Sequence, residues 1–213
     1  MSKNVPDELP FWIRAEWLSL ADFLDGLDDH EWQVASLCPG WTVHDVVAHL
    51  TTSTRTTLLM TIKDAIRARG DFHRMTADQA RERAASFGPA ELIAQLRESA
   101  DSTNRSPGSG PWDPLIDLLA HGQDIARPLG LVREMPGDAA IATLDHVRNR
   151  RFYGGPKRFR GTKLIATDVN WSAGEGPDEV RGPVADLLLL ATGRPAALAA
   201  LSGSGTKRIA ATL

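Results

Sequence analysis

The 213-residue sequence predicts a mainly α fold: an antiparallel four-helix bundle over residues 1–135, followed by a small α/β lobe over residues 136–213. Three observations carry this reading. Four stretches place apolar residues at helical spacing, as the facing helices of a bundle require. Connectors rich in glycine, proline and serine separate them. Beyond Pro136 the texture changes to short apolar runs broken by glycines, with one strand-like stretch.

The elements follow in order. From Leu9 to Leu27, Ile13, Trp17, Leu20, Phe23, Leu24 and Leu27 form one apolar stripe, closed by Gly26 and Asp28-Asp29. Pro39-Gly40 then breaks the chain. Thr42 is a good N-cap for the next helix, with Asp45 three residues on in the manner of a capping box. Val43, Val46, Val47 and Leu50 make its stripe, and the pattern predicts a single helix running to Arg69 before Gly70, with Leu58, Leu59, Ile62 and Ile66 in its later half. Ala77 to Ala85 is helical but mostly polar, and Ala90 to Ala100 is a helix that buries Leu92, Ile93 and Leu96. Asp101 to Gly110 is a loop by composition. Pro111-Trp112-Asp113-Pro114 opens the fourth long helix, which ends near Gly130. In the lobe, Asp138 to Phe152 reads as a helix and Lys163 to Thr167 as a strand. Asp168 to Trp171 extends that strand or pairs with Glu179 to Arg181 across a glycine-rich turn. Ala185 to Leu190 and Pro195 to Leu201 are small closing helices. No internal repeat is present.

Composition excludes several classes. A net charge of −3 points to neither nucleic acid nor an anionic membrane as partner. The basic stretch Arg148 to Lys163 contains no acid, and capture of a carboxylate-bearing ligand is one reading of it. A solvated face with local ion pairs is the simpler reading, and no nucleic-acid-binding module surrounds it. No run approaches the length of a membrane span, and Met1 to Pro10 has no leader signature, so a cytoplasmic protein is expected. The single cysteine, Cys38, rules out an intrachain disulfide and any multi-cysteine metal site.

The chemistry-bearing residues are few. His49 lies beside the buried stripe of the second helix, where an imidazole is either a hydrogen-bonded core residue or a metal ligand. Asp117 and His121, four apart in an apolar run, project from one face of the fourth helix. Asp117 then either accepts a hydrogen bond inside the bundle or joins His49 and His121 as a third ligand. Two histidines and a carboxylate from facing helices are a standard bundle metal site, and three protein ligands leave a position open, the pattern of a catalytic zinc centre. Asp45 is either an N-terminal helix charge or an acceptor orienting His49. Asp124 either orients His121 or pairs with Arg127. Cys38 reads as a small residue in a packed loop, with no histidine placed near it by local spacing. The six tryptophans read as core anchors.

The stretches Leu37-Cys38-Pro39-Gly40-Trp41-Thr42-Val43 through His49-Leu50, His121-Gly122-Gln123-Asp124-Ile125-Ala126-Arg127-Pro128-Leu129-Gly130, and Trp171 to Pro177 with Val180 to Leu190 resemble the mycothiol-dependent maleylpyruvate isomerase family, within the wider DinB-like group of metal-dependent four-helix bundles. The resemblance covers nearly the whole chain. It implies a DinB-like fold with one divalent metal, usually zinc, at the positions of His49, Asp117 and His121; the isomerase has glutamate where this chain has Asp117. It further implies mycothiol as cofactor or co-substrate, and a small electrophile or unsaturated acid as substrate. The reaction is either isomerisation or thiol S-transfer. A DinB-like protein that binds a metal or a small molecule without turnover is the reading of a different class.

Overall fold

The computed structural model describes residues 5–213 and divides into two compact units, Met1–Arg133 and Glu134–Leu213. The first four residues, part of the stretch inspected for a leader, lie outside the described residues. The fold is mainly α, with one three-stranded sheet in the second unit.

In the first unit, α1 (Leu9–Asp25) packs against α5 (Pro89–Ala100) and α6 (Asp113–Ala126), and α2 (Val43–Thr52) packs against α5 and α6 in turn. Their stripes meet in one core: Trp17, Leu20 and Leu24 from α1; Val43, Val46, Val47 and Leu50 from α2; Leu92, Ile93 and Leu96 from α5; Leu118 and Ile125 from α6. This is the predicted bundle. Trp17, Trp32 and Trp112 are buried anchors, as expected, while Trp41 is half-buried.

The long helix expected from Thr42 to Arg69 is in fact two. Helix α2 stops at Thr52, a turn follows, and α3 (Leu58–Arg67) restarts on Thr57, whose hydroxyl accepts from the Met60 N–H. The threonine-rich junction explains the break. Thr51, Thr52 and Thr56 each turn a hydroxyl back onto a main-chain carbonyl, at Ala48, His49 and Thr52, which competes with helix continuation. Ser106, from the 101–110 loop, then donates its N–H to the Ser53 carbonyl at 2.7 Å, satisfying an acceptor that a continuous helix would have used. The polar helix starts earlier than expected, as α4 (Phe72–Ala84) capped by Asp71, and packs on α2.

In the second unit, α7 (Gly137–Val147) is shorter than expected and packs on α9 (Val184–Ala191), and a single helical turn, α8, covers Gly155–Arg158. The strand is β1 (Thr162–Ala166), but its pairing differs from both alternatives. Instead of Asp168 to Trp171, β2 (Ser172–Ala173) pairs antiparallel with β1, and β3 (Asp178–Gly182) returns on the other side, parallel to β1. The register sets Leu164 opposite Ala173 and Val180. To cross between edges the chain passes so close to β1 that a Cβ at Gly174 or Gly176 would collide with the carbonyls of Thr162 and Gly161. A 3-10 turn at Pro195–Ala200 stands where the last helix was expected, and α10 (Thr206–Ala210) was not foreseen. Two cations of the basic stretch are engaged locally: Arg148 pairs with Asp145, and buried Arg158 donates to the Leu190 and Ala191 carbonyls at the end of α9. Among the described residues no helix is long and apolar enough to cross a membrane.

Candidate metal centre

The centre is built on α2, α6 and the loop that precedes α2. In that loop Cys38-Pro39-Gly40-Trp41 is a type II turn: the Trp41 N–H donates to the Cys38 carbonyl at 3.1 Å, and Gly40 takes φ +76° at the position that needs it. Ser36 braces the turn, accepting from the Cys38 N–H and donating to the Trp41 carbonyl. The Leu37 N–H donates to the Asp124 carbonyl at 3.0 Å, which ties the loop to α6. Thr42 and Asp45 then complete the predicted capping box.

His49 and His121 meet edge to face, ring centroids 5.2 Å apart, and the Trp41 ring lies 5.3 Å from His49. Burial pushes the His49 imidazole down to about 3, and the neighbouring His121 adds to the shift, so His49 is neutral at pH 7. A neutral imidazole keeps a lone pair free for a metal.

Behind His121 stands Asp124, whose Oδ2 is 2.9 Å from Nδ1; its side chain is only 1 % exposed. With Asp124 as the acceptor of this bond, Nδ1 carries the proton and Nε2 is left with the lone pair. Cys38 completes this corner: its thiol donates to the same Oδ2 at 3.3 Å, and Sγ lies 3.6 Å from His121 Nδ1. Local spacing placed no histidine near Cys38; His121 reaches it because the turn and α6 meet in the tertiary structure.

The predicted residues therefore sort as follows. His49 and His121 are brought into edge-to-face contact, and Asp124 meets His121. Asp117 is half-buried one helical turn ahead of His121. Asp45 is committed elsewhere: its Oδ2 accepts from both the N–H and the hydroxyl of Thr42, so it serves the helix cap and does not orient His49. The donor atoms drawn within 4.8 Å of one another among the described residues are those of Cys38, His121 and Asp124; His49 and Asp117 lie outside that cluster.

One supporting device was not read from the sequence. Arg133 lies across α6 at Gly122, where a Cβ would sit 2.7 Å from its Nε. Its guanidinium pairs with buried Glu16 of α1 at 2.8 Å and donates to Ser19, while Gln123 donates to its carbonyl. Burial raises the Glu16 carboxyl and lowers the Arg133 guanidinium, and their attraction opposes both shifts. The glycine beside His121 was a signal of such close approach, but nothing local named the arginine.

Residues 13–126 match the family model described as the mycothiol maleylpyruvate isomerase N-terminal domain. No curated protein matches the chain. Among solved structures, the crystal structure of the mycothiol-dependent maleylpyruvate isomerase is similar with a TM-score of 0.62 and 15 % identity, over 94 % of this chain and 93 % of that one. A variant of that enzyme with one histidine changed to alanine gives 0.59 and 16 % over the same shares. Identity at that level speaks for the fold, and the family match spans more than half the residues: the chain belongs to the mycothiol maleylpyruvate isomerase N-terminal domain family.

Proposed function

We propose that the protein is a metal-dependent enzyme that uses a low-molecular-weight thiol, mycothiol, on a small unsaturated acid or electrophile, as a maleylpyruvate isomerase-like enzyme or a thiol S-transferase. The observation that carries this reading is the apposition of neutral His49 with His121, whose Nδ1 lies 2.9 Å from buried Asp124. Two imidazoles and a carboxylate form a donor set suited to a borderline divalent ion, zinc first. His49, Asp117 and His121 would hold it. Once bound, the ion supplies Lewis acidity toward a thiol that, with an ordinary pKa near 8.5, is only about 3 % thiolate at pH 7. The chain's own residues do the rest. Asp124 keeps His121 in the ligating tautomer, and Trp41 shields one side of His49 from water. Isomerase and transferase differ in whether the thiol leaves the product again.

Cys38, His121 and Asp124 support a second ligand set, sulfur, nitrogen and oxygen, because their donor atoms already lie within 4.8 Å. Elemental analysis of untagged protein separates the two. We expect one divalent metal per chain, lost in His49→Ala and His121→Ala, with affinity at least roughly tenfold weaker in Asp117→Asn. Unchanged stoichiometry in His49→Ala together with loss in Cys38→Ala transfers the site to the second set. Turnover of mycothiol with maleylpyruvate or a generic electrophile is expected from the loaded protein; metal binding without either activity sinks the enzymatic reading.

A further inference from the structure

Helix α6 carries two consecutive residues with different tasks. His121 meets His49 of α2, and Gly122, about 100° further round the helix, is covered by Arg133. A glycine in the middle of a helix weakens it relative to alanine, so its presence calls for a reason. Close packing supplies one: a Cβ at Gly122 would stand 2.7 Å from Arg133 Nε and 3.2 Å from its Cδ. Arg133 is not free to swing aside. Its side chain is 6 % exposed, Nη2 donates to Glu16 of α1 at 2.8 Å, and Nη1 donates to Ser19 at 3.0 Å. The Phe23 ring lies 5.9 Å from the guanidinium carbon. The Arg133 carbonyl accepts from Gln123 Nε2 at 2.6 Å, so the arginine is fastened to α6 at one end and to α1 at the other.

We propose that Arg133, seated on Gly122 and anchored to Glu16, is a positioning residue that sets the rotation of α6 about its axis and so holds His121 against His49. This rests on the metal-dependent reading above and deepens it by naming what keeps the two histidines in place. The apolar contacts of Leu118 and Ile125 drive α6 into the core but are non-directional. A planar guanidinium with its two ends on Glu16 and Ser19, neighbours on one face of α1, is directional. Small rotations matter at this site. A turn of about 10° moves a side-chain atom lying roughly 5–6 Å from the helix axis by about 1 Å, beyond the ~0.5 Å that a ligand set tolerates. Burial opposes both charges, raising the Glu16 carboxyl and lowering the Arg133 guanidinium, so the pair is a poor device for stability alone. Apolar side chains of similar volume would hold α1 to α6 as firmly, without the fixed angle.

Two variants of the full chain separate positioning from stability. The double variant Glu16→Leu, Arg133→Met replaces the pair by apolar side chains and is expected to unfold in denaturant no earlier than wild type. Its zinc affinity, measured by competition, should nevertheless be about tenfold weaker, and the visible absorption of the cobalt(II)-loaded protein should change. Gly122→Ala keeps both charges and drives a methyl against Arg133 Nε, so the same loss of affinity and an altered cobalt spectrum are expected. Unchanged zinc affinity and cobalt spectrum in either folded variant overturn the proposal, as does a loss of affinity in the double variant that merely follows a loss of stability. A wild type that binds neither ion removes the metal reading instead, and the positioning is then read in the metal-free protein. Nuclear Overhauser contacts between the His49 and His121 ring protons are expected in wild type and weakened in both variants; contacts that persist unchanged in the variants overturn it.

Discussion

Helices α2 and α3 are neighbours in the chain, equal in length and both capped by a threonine, yet they have opposite fates. Helix α2 buries Val43, Val46, Val47, Ala48 and Leu50 in the bundle and holds His49 at the edge of that face. Helix α3 buries none of its ten residues and turns its apolar stripe outward. The two stripes are indistinguishable in kind when read as spacing. Amphipathicity therefore marks an apolar face, and leaves open whether the chain's own core covers it.

Truncations set that difference against a stability scale. Leu50→Ala is expected to cost about 2–5 kcal/mol in denaturant unfolding, as a large-to-small change in a packed core. Ile66→Ala should stay within about 0.5 kcal/mol, as for a surface site. Equal costs would show that α3 is packed in solution, contrary to its exposure here.

The pH dependence sharpens what α2 gives up to carry His49. Its folded pKa, about 3, lies below the unfolded value near 6.5. Between these values the unfolded state binds a proton that the native state refuses, so stability rises with pH there and is lost as pH falls below about 6.5. The metal-free protein should lose about 1–2 kcal/mol between pH 6.5 and pH 5 from this group, and His49→Gln should flatten the profile. A wild-type profile already flat over that window would mean that His49 takes up its proton in the fold.

The smallest expected effects concern the corner behind His121. Asp124→Asn removes the acceptor that fixes Nδ1–H, and should weaken zinc affinity about tenfold with the bundle still folded. Cys38→Ser keeps a donor toward Asp124 and should change affinity less than Cys38→Ala. If Cys38→Ser abolishes binding while Asp124→Asn does not, the sulfur is a ligand and not a brace.

Much of this molecule was determined by sequence alone. The Thr42–Asp45 capping box, the bundle stripes, and the one-face spacing of Asp117 with His121 all depend on contacts three or four residues apart, which spacing specifies directly. The break of α2 after Thr52 begins with the local threonine back-bonds, but the Ser53 carbonyl it frees is satisfied by Ser106, fifty-three residues further along the chain. Cys38 and His121 are eighty-three residues apart, and their 3.6 Å approach exists only because the turn before α2 is hydrogen-bonded to α6. Arg133 closing over Gly122, the parallel pairing of β1 with β3, and the outward stripe of α3 are likewise tertiary decisions. The reason is common to all: backbone geometry brings near neighbours in sequence together at known offsets, whereas distant groups meet only where the packed core leaves them the room.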